Sequence, residues 1–129
     1  MKRAIVTISE NGIVTIPNVP TASILMRDFE IAQLFEVYSQ TVKANIKTIL
    51  KSRVVVPDYT HGGIVIATSI QPDYYGLDMI TAIAFRVDSP NAQAFREMVL
   101  SELGTVGKPT CVSLVIKLDT QKQSHRLTN

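Results

Sequence analysis

The chain has one cysteine, Cys111, no tryptophan and only two histidines, His61 and His125, among 129 residues. A single thiol cannot close an internal disulfide, so folding must rest on a packed core. No cysteine pair and no His/Asp/Glu group stands at metal-ligand spacing, so no metal is expected. A glycine-rich phosphate loop is also missing, and with it the usual cradle for a nucleotide cofactor. His61 falls in an expected turn and His125 in a polar tail, so neither pairs with a nucleophile; Ser39 and Cys111 have ordinary structural roles. The expectation is a protein without cofactor, metal or catalytic residue, and not an enzyme. No apolar run approaches the length that crosses a bilayer. Lys2 and Arg3 lead into alternating residues rather than the solid apolar stretch of a signal peptide. With no export signal and no disulfide, a cytoplasmic protein with no membrane partner is expected.

What is present suits a globular fold. Apolar residues make up 46% of the chain and charged residues 19%, which supports a core and argues against disorder. The formal net charge of +2 names no partner, but its distribution is uneven. Val37–Arg53 carries Lys43, Lys47, Lys51 and Arg53 and no acid, whereas Pro72–Gly104 carries five acids against Arg86 and Arg96. A locally basic stretch suits a nucleic-acid backbone; it also suits a merely solvated lysine face.

Arg3–Ser9 alternates and is β-branched, Asn11-Gly12 follows, and Ile13–Ile16 resumes the alternation. Asn-Gly favours the two positive φ angles of a type I′ turn, so a hairpin is expected, ended by Pro17 and Pro20. Arg27–Phe35 reads as a short helix with Asp28 and Glu30 in its first turn and Ile31, Leu34 and Phe35 as its apolar stripe. A second helix is expected over Ser39–Ser52, with Ser39 as N-cap and Val42, Ile46, Ile49 and Leu50 on its buried face. Val54–Thr60, the turn His61-Gly62-Gly63 and Ile64–Ile70 read as a second hairpin, with Pro57 placing its first strand at an edge. Helices follow over Gly76–Arg86 and Pro90–Leu103, the second opened by Ser89-Pro90. Leu77, Ile80, Ala84 and Val87 mark the core face of the first, and Phe95, Val99 and Leu103 that of the second. Thr110–Leu118 reads as a strand that pairs with the N-terminal hairpin or another subunit. The reading is one domain over 1–119 and a polar tail over 120–129.

Ile31–Ile46 carries the functional signal. A helix-turn-helix needs two short helices crossing at a fixed angle. Ala32 is small where the helices approach, Val37 fills the turn, and Val42 and Ile46 bury the second helix. Such motifs place glycine where Glu36 stands, because that residue adopts a left-handed conformation. Glu36 implies modest strain or a different turn. Tyr38, Ser39, Gln40, Lys43, Ala44, Lys47, Lys51 and Arg53 then form the candidate DNA-binding set. Gln40 can bond adenine bidentately, Lys43 can reach guanine or phosphate, and Lys47, Lys51 and Arg53 suit phosphates. The second hairpin stands where a wing would follow; with His61 and few cations it reads phosphate weakly, and it also serves as a cover for the core.

The run Tyr74–Glu97 resembles the RhuM-like proteins of genomic islands and mobile elements. It carries Tyr75-Gly76-Leu77-Asp78-Met79-Ile80, then Phe85-Arg86-Val87-Asp88-Ser89, then Phe95-Arg96. Upstream, Ala32-Gln33-Leu34-Phe35 and Ile46-Lys47-Thr48-Ile49 are similar to segments of that family, over about Met26 to Leu103. Family members are often longer, Arg27 stands where a capping Thr is common, and Thr110–Leu118 replaces the usual continuation. The resemblance implies a DNA-binding-like module akin to those of phage antirepressors. Asp78 is expected as a cap or an arginine partner; Arg86 and Arg96 could hold phosphate, but intramolecular pairing with the nearby acids is the favoured expectation. The fold expected is α+β, with a winged-helix-like core between an N-terminal hairpin and a C-terminal strand. The function expected is DNA-binding regulation of a mobile element by a homodimer on double-stranded DNA. The alternative is an antirepressor-like module that binds a repressor or other regulatory protein; a structural component of a mobile-element assembly is a third reading.

Overall fold

The helices form where the 3.6-residue period places them, and the strands are shorter than the alternation suggests. A computed structural model describes residues 2–66 and 69–106. The expected strand Thr110–Leu118, the tail 120–129 and the boundary at 119 lie outside the described residues. The architecture is α+β. In chain order it runs β1 (Thr7–Ile8), β2 (Val14–Thr15), a 3-10 turn (Thr21–Ser23), α1 (Asp28–Phe35), α2 (Ser39–Ser52), β3 (Gly63–Ile66), β4 (Ser69–Pro72), α3 (Leu77–Ala84) and α4 (Pro90–Val106). Among the described residues β1 pairs with β2 and β3 with β4, both antiparallel.

The first hairpin corrects the expected turn. Only Gly12 takes a positive φ, +79°; Asn11 does not. The Gly12 N–H donates to the Ser9 carbonyl (3.0 Å) and the Ser9 N–H to the Ile13 carbonyl (2.9 Å). The loop is therefore a type I turn closed by a glycine bulge, not a type I′ turn. Ser9 favours this choice, because its Oγ accepts the Ile13 N–H (3.1 Å). β1 is short because Ala4 pairs with Ile24 instead, donating to Ser23 (2.9 Å) and accepting from Leu25 (3.1 Å). Met26 and Tyr75 then exchange two backbone bonds of 2.9 and 2.8 Å. The short extended stretch Ile24–Met26 thus links the N-terminus to the entry of α3.

α1 begins at Arg27, whose N–H donates to Glu30 Oε1 (2.8 Å), one half of a capping box. It ends at Glu36, which is left-handed at φ 54°, ψ 48°. The Val37 N–H reaches back to Ala32 (3.0 Å) and the Glu36 N–H to Gln33 (3.3 Å), a Schellman ending. α2 starts one residue earlier than a Ser39 cap would allow. Tyr38 is the N-cap, its carbonyl accepting the Val42 N–H (3.2 Å), and Ser39 is the first helical residue. The Schellman turn uses up Glu36 and Val37, so the chain is already aimed along α2 at Tyr38.

The second hairpin differs most from expectation. Val54–Thr60 forms no strand, and the stretch expected to be one strand, Ile64–Ile70, is shared between two that run Gly63–Ile66 and Ser69–Pro72, with Ile64 opposite Gln71 and Val65 opposite Ile70. Arg53 ends α2 in a left-handed conformation (φ 63°), and Val55 immediately drops into the core. That anchor and Pro57 hold the 54–60 segment away from a ladder.

One core unites the helices and the N-terminal hairpin. Val6, Ile24, Met26, Ile31, Phe35, Val42, Met79, Ile80, Ile83 and Phe95 are all essentially fully buried. Leu77 is only half-buried; Met79 and Ile83 join Ile80 and Ala84 on the inner face of α3. Leu50 likewise sits at the core edge, as do Val99 and Leu103. Ser89 does cap α4, its Oγ accepting the Ala92 N–H (3.0 Å). Among the described residues no helix is long and apolar enough to cross a membrane.

The left-handed Glu36 gives a direct test. A non-glycine residue there carries about 1–2 kcal/mol of steric cost. Glycine removes it but gains freedom in the unfolded chain. Glu36→Gly is expected to raise stability by about 0.5–1 kcal/mol, with an unchanged m-value in urea unfolding. A loss of stability would mean that α1 ends differently.

Candidate functional site

α2 is amphipathic, and its two sides have different fates. Val42, Ile46 and Ile49 are buried against α1 and α3. At 100° per residue, Gln40, Lys43, Ala44, Lys47 and Lys51 fall within a stripe about 100° wide on the other side. All five are exposed. The stripe runs about 16 Å along the helix, a length set by the 1.5 Å rise. Tyr38 projects beyond the start of α2 and is 86% exposed, the most of any large apolar residue described. Ser39 is half-buried, and Arg53 is exposed at the C-cap. The structure thus brings Gln40, Lys43, Ala44, Lys47 and Lys51 together, sets Tyr38 and Arg53 at the two ends, and leaves Ser39 partly covered.

The stripe is electrostatically simple. α2 contains no acid, and among the described residues no carboxylate pairs with Lys43, Lys47, Lys51 or Arg53. Lys51 and Arg53 stand at the C-terminal end, where the helix dipole favours cations. The polar residues on the flank are spoken for. Asn45 Nδ2 donates to the Thr41 carbonyl (2.8 Å), and Asn45 Oδ1 accepts the Arg86 Nε–H (2.9 Å). A bond from α3's C-terminal end therefore fixes the rotation of α2 from the side opposite the stripe.

Arg86 and Arg96 correct the expectation that they pair with acids. Arg86 meets the neutral Asn45, and Arg96 donates to the carbonyls of Ala84 (2.7 Å) and Val87 (2.9 Å), closing the end of α3. A guanidinium satisfies two orphan carbonyls at once, which a carboxylate partner would not need. Among the described residues Asp78 bonds no arginine; its Oδ1 accepts the Met79 N–H (2.7 Å) in the first turn of α3.

The hairpin that follows α2 is β3–β4, and it does not serve as a cover for the core. Ile64, Val65 and Ile70 are 55–69% exposed. No lysine or arginine occurs between Arg53 and Arg86, so the hairpin offers no cation to a phosphate. His61 is exposed beside it.

A cluster of long-range partners had no local signal. Arg3 pairs with Glu30 (2.7 and 3.3 Å) and donates to the Leu25 carbonyl (3.1 Å). Arg27 donates to the Tyr74 hydroxyl (2.9 Å), and both guanidinium groups sit over the Tyr74 ring at 5.0 and 4.7 Å. The cluster joins the N-terminus, the start of α1 and the entry to α3. Arg3 and Glu30 are 27 residues apart and Arg27 and Tyr74 are 47 apart, so no sequence period could pair them. Comparison with family models, curated proteins and solved structures returns no match to this chain.

The Arg3 hydrogen bond holds the Glu30 carboxyl below its usual range, and the Arg27 N–H adds to this. A depressed carboxyl stabilises the fold above its unfolded value, near 4.5, and loses that contribution as pH falls through the lower folded value. Glu30→Gln is expected to cost about 1–2 kcal/mol at neutral pH. Urea titrations of the two proteins should converge as pH falls below the carboxylate range. A constant gap across that range would contradict the ion pair.

Proposed function

We propose that the protein is a DNA-binding regulator of a mobile genetic element or genomic island, with α2 as the helix that enters the major groove. The carrying observation is the α2 stripe: Gln40, Lys43, Lys47 and Lys51 on one exposed face, no acid on the helix, and Asn45 held to Arg86 on the opposite side. An α-helix fits the major groove, and its first residues reach base edges while later cations meet phosphates. Gln40 and Lys43 take the base-reading roles, with Lys47, Lys51 and Arg53 on the backbone and Tyr38, Ser39 and Ala44 lining the approach. α1, the Schellman turn and α2 supply the helix-turn-helix, and β3–β4 stands in the place of the wing. The RhuM-like resemblance of Tyr74–Glu97 supports the mobile-element setting. Such a helix gains specificity when a homodimer presents two copies to half-sites one turn apart. No catalytic role is proposed.

A specific observation favours a second reading for part of the surface. The β3–β4 hairpin is apolar, exposed and free of cations. Such a wing suits a protein partner, as in an antirepressor-like module, better than it suits DNA. The two readings part on binding to double-stranded DNA.

Fluorescence anisotropy with genomic fragments flanking the protein's own gene tests the main reading. Binding should weaken steeply with salt. Lys47→Ala with Lys51→Ala should reduce the log–log salt slope by about 2, since each lost phosphate contact contributes about 0.9. Salt-independent binding, or none to any fragment, would reject it; capture of a repressor without DNA would select the second reading.

A further inference from the structure

The β3–β4 hairpin has one closed edge and one open edge, and its register decides which is which. The Asp73 N–H donates to the Gly62 carbonyl (3.1 Å), so Gly62 and Asp73 form a hydrogen-bonded pair. Antiparallel alternation then makes Ile64–Gln71 the next bonded pair and leaves Gly63–Pro72 and Val65–Ile70 unbonded. The peptide groups of Gly63 and Val65 therefore point away from β4, and those of Ile70 and Pro72 point away from β3. The outer side of β4 is closed: Pro72 has no N–H, and the Tyr59 hydroxyl donates to the Ile70 carbonyl (3.1 Å). β3 has no such cover. Among the described residues nothing bonds the outward groups of Gly63 and Val65, and Gly63, Ile64 and Val65 are all exposed. The strand also carries no charge and no proline, the devices that commonly keep an edge from pairing.

We propose that this edge pairs with β3 of a second copy, antiparallel across a two-fold axis at Ile64. The proposal rests on the reading of the hairpin as a protein contact, not on DNA binding by α2, and it makes the chain itself the partner. Three features select a second copy. The first is the spacing of the outward groups. Gly63 and Val65 flank Ile64, so an axis at Ile64 sets each Gly63 opposite Val65 of the other copy and closes four backbone bonds. The second is shape. Tyr59 Cδ1 and Ile70 Cγ2 lie 3.3 and 3.2 Å from the point where a Gly63 Cβ would stand, so they close over Gly63 as an apolar seat. Val65 is 69% exposed, the most of the hairpin's described apolar residues. Opposite Gly63 it lies on the face of that seat, and each copy gives the other the same contact, as an isologous interface requires. On the other face Ile64 meets its own copy at the close spacing of an unbonded pair. The third is charge. Tyr59, Gly63, Ile64, Val65 and Ile70 carry none, so self-contact opposes no like charges and gives a charged partner nothing to recognise. The closed outer edge of β4 stops growth at four strands, which makes a dimer and not a filament. The contact is small, so the dimer forms at micromolar rather than nanomolar concentration.

Sedimentation velocity of the full chain between about 1 and 300 µM should show a monomer that becomes a dimer. Ile64→Lys sets two ammonium groups opposite each other at the axis and should weaken association about tenfold or more. Ile64→Glu should do the same with two carboxylates. An equimolar mixture of the two variants should dimerise again, because the mixed pair sets opposite charges at one point. Ile64 is exposed, so both variants should keep the parent's urea midpoint at low concentration. Ile13→Lys, at a comparably exposed site on the first hairpin, should leave association unchanged. A monomer at every concentration, or a dimer indifferent to Ile64→Lys, would overturn the proposal. So would a mixture that stays monomeric, since Ile64 would then not face its own copy. A monomer that captures a repressor would also overturn it, while leaving the reading of the hairpin as a protein contact in place. DNA binding is read separately, because none of these substitutions touches α2.

Discussion

The structure turns on the C-terminal end of α1. Phe35 is fully buried and meets Phe95 edge to face, with ring centroids 5.7 Å apart at 88°. One residue earlier, the Leu34 carbonyl accepts a bond from Asn91 Nδ2 (2.8 Å). One residue later, Glu36 takes the left-handed conformation that sends the chain into α2. α4 thus grips α1 at the point where α1 ends. The direction of α2 follows from that grip, since a turn of three residues between two buried helices leaves no slack. The exposure of the α2 stripe depends on it.

The charged residues divide by type. Of the five arginines described, four are tied inside the molecule: Arg3 to Glu30, Arg27 to Tyr74, Arg86 to Asn45, and Arg96 to two carbonyls. A planar fork of five donors suits joints between elements. Among the described residues the lysines of α2 make no such joint. They remain as solvated point charges on a helix whose orientation the arginines help to fix. Binding of a polyanion to a surface of that kind would be electrostatic, and salt dependence would read it directly.

The two hairpins play opposite parts. The first is stitched into the core through Val6, Ala4 and the Ile24–Met26 stretch. The second stands out from the helices with apolar residues on both faces and no lysine to protect its edge. Natural edges are commonly blunted by charge or proline. Their absence from β3 gives that hairpin the character of a contact surface, distinct from the cationic stripe on α2.

Much was legible in the sequence because it is local. The period of Val42, Ile46 and Ile49 fixed α2 and its exposed face, the Ser89-Pro90 pair fixed the start of α4, and the oddity of Glu36 marked a left-handed turn that is indeed there. The failures are also physical. Asn11-Gly12 permits two turn types, and the Ser9 hydroxyl, together with the pairing of Ala4 to Ile24, decided between them. Val54–Thr60 has strand propensity throughout, yet burial of Val55 and the rigidity of Pro57 kept it out of a ladder. Arg86 and Arg96 looked like partners for the acids around them; only packing put Asn45 and the open carbonyls of α3 within reach. Periodicity is a property of one segment, so sequence alone determined which faces are apolar and which residues line the α2 stripe. Pairing is a property of two segments, so only the tertiary structure decided what Arg3, Arg27, Arg86 and Arg96 hold and where each described strand ends.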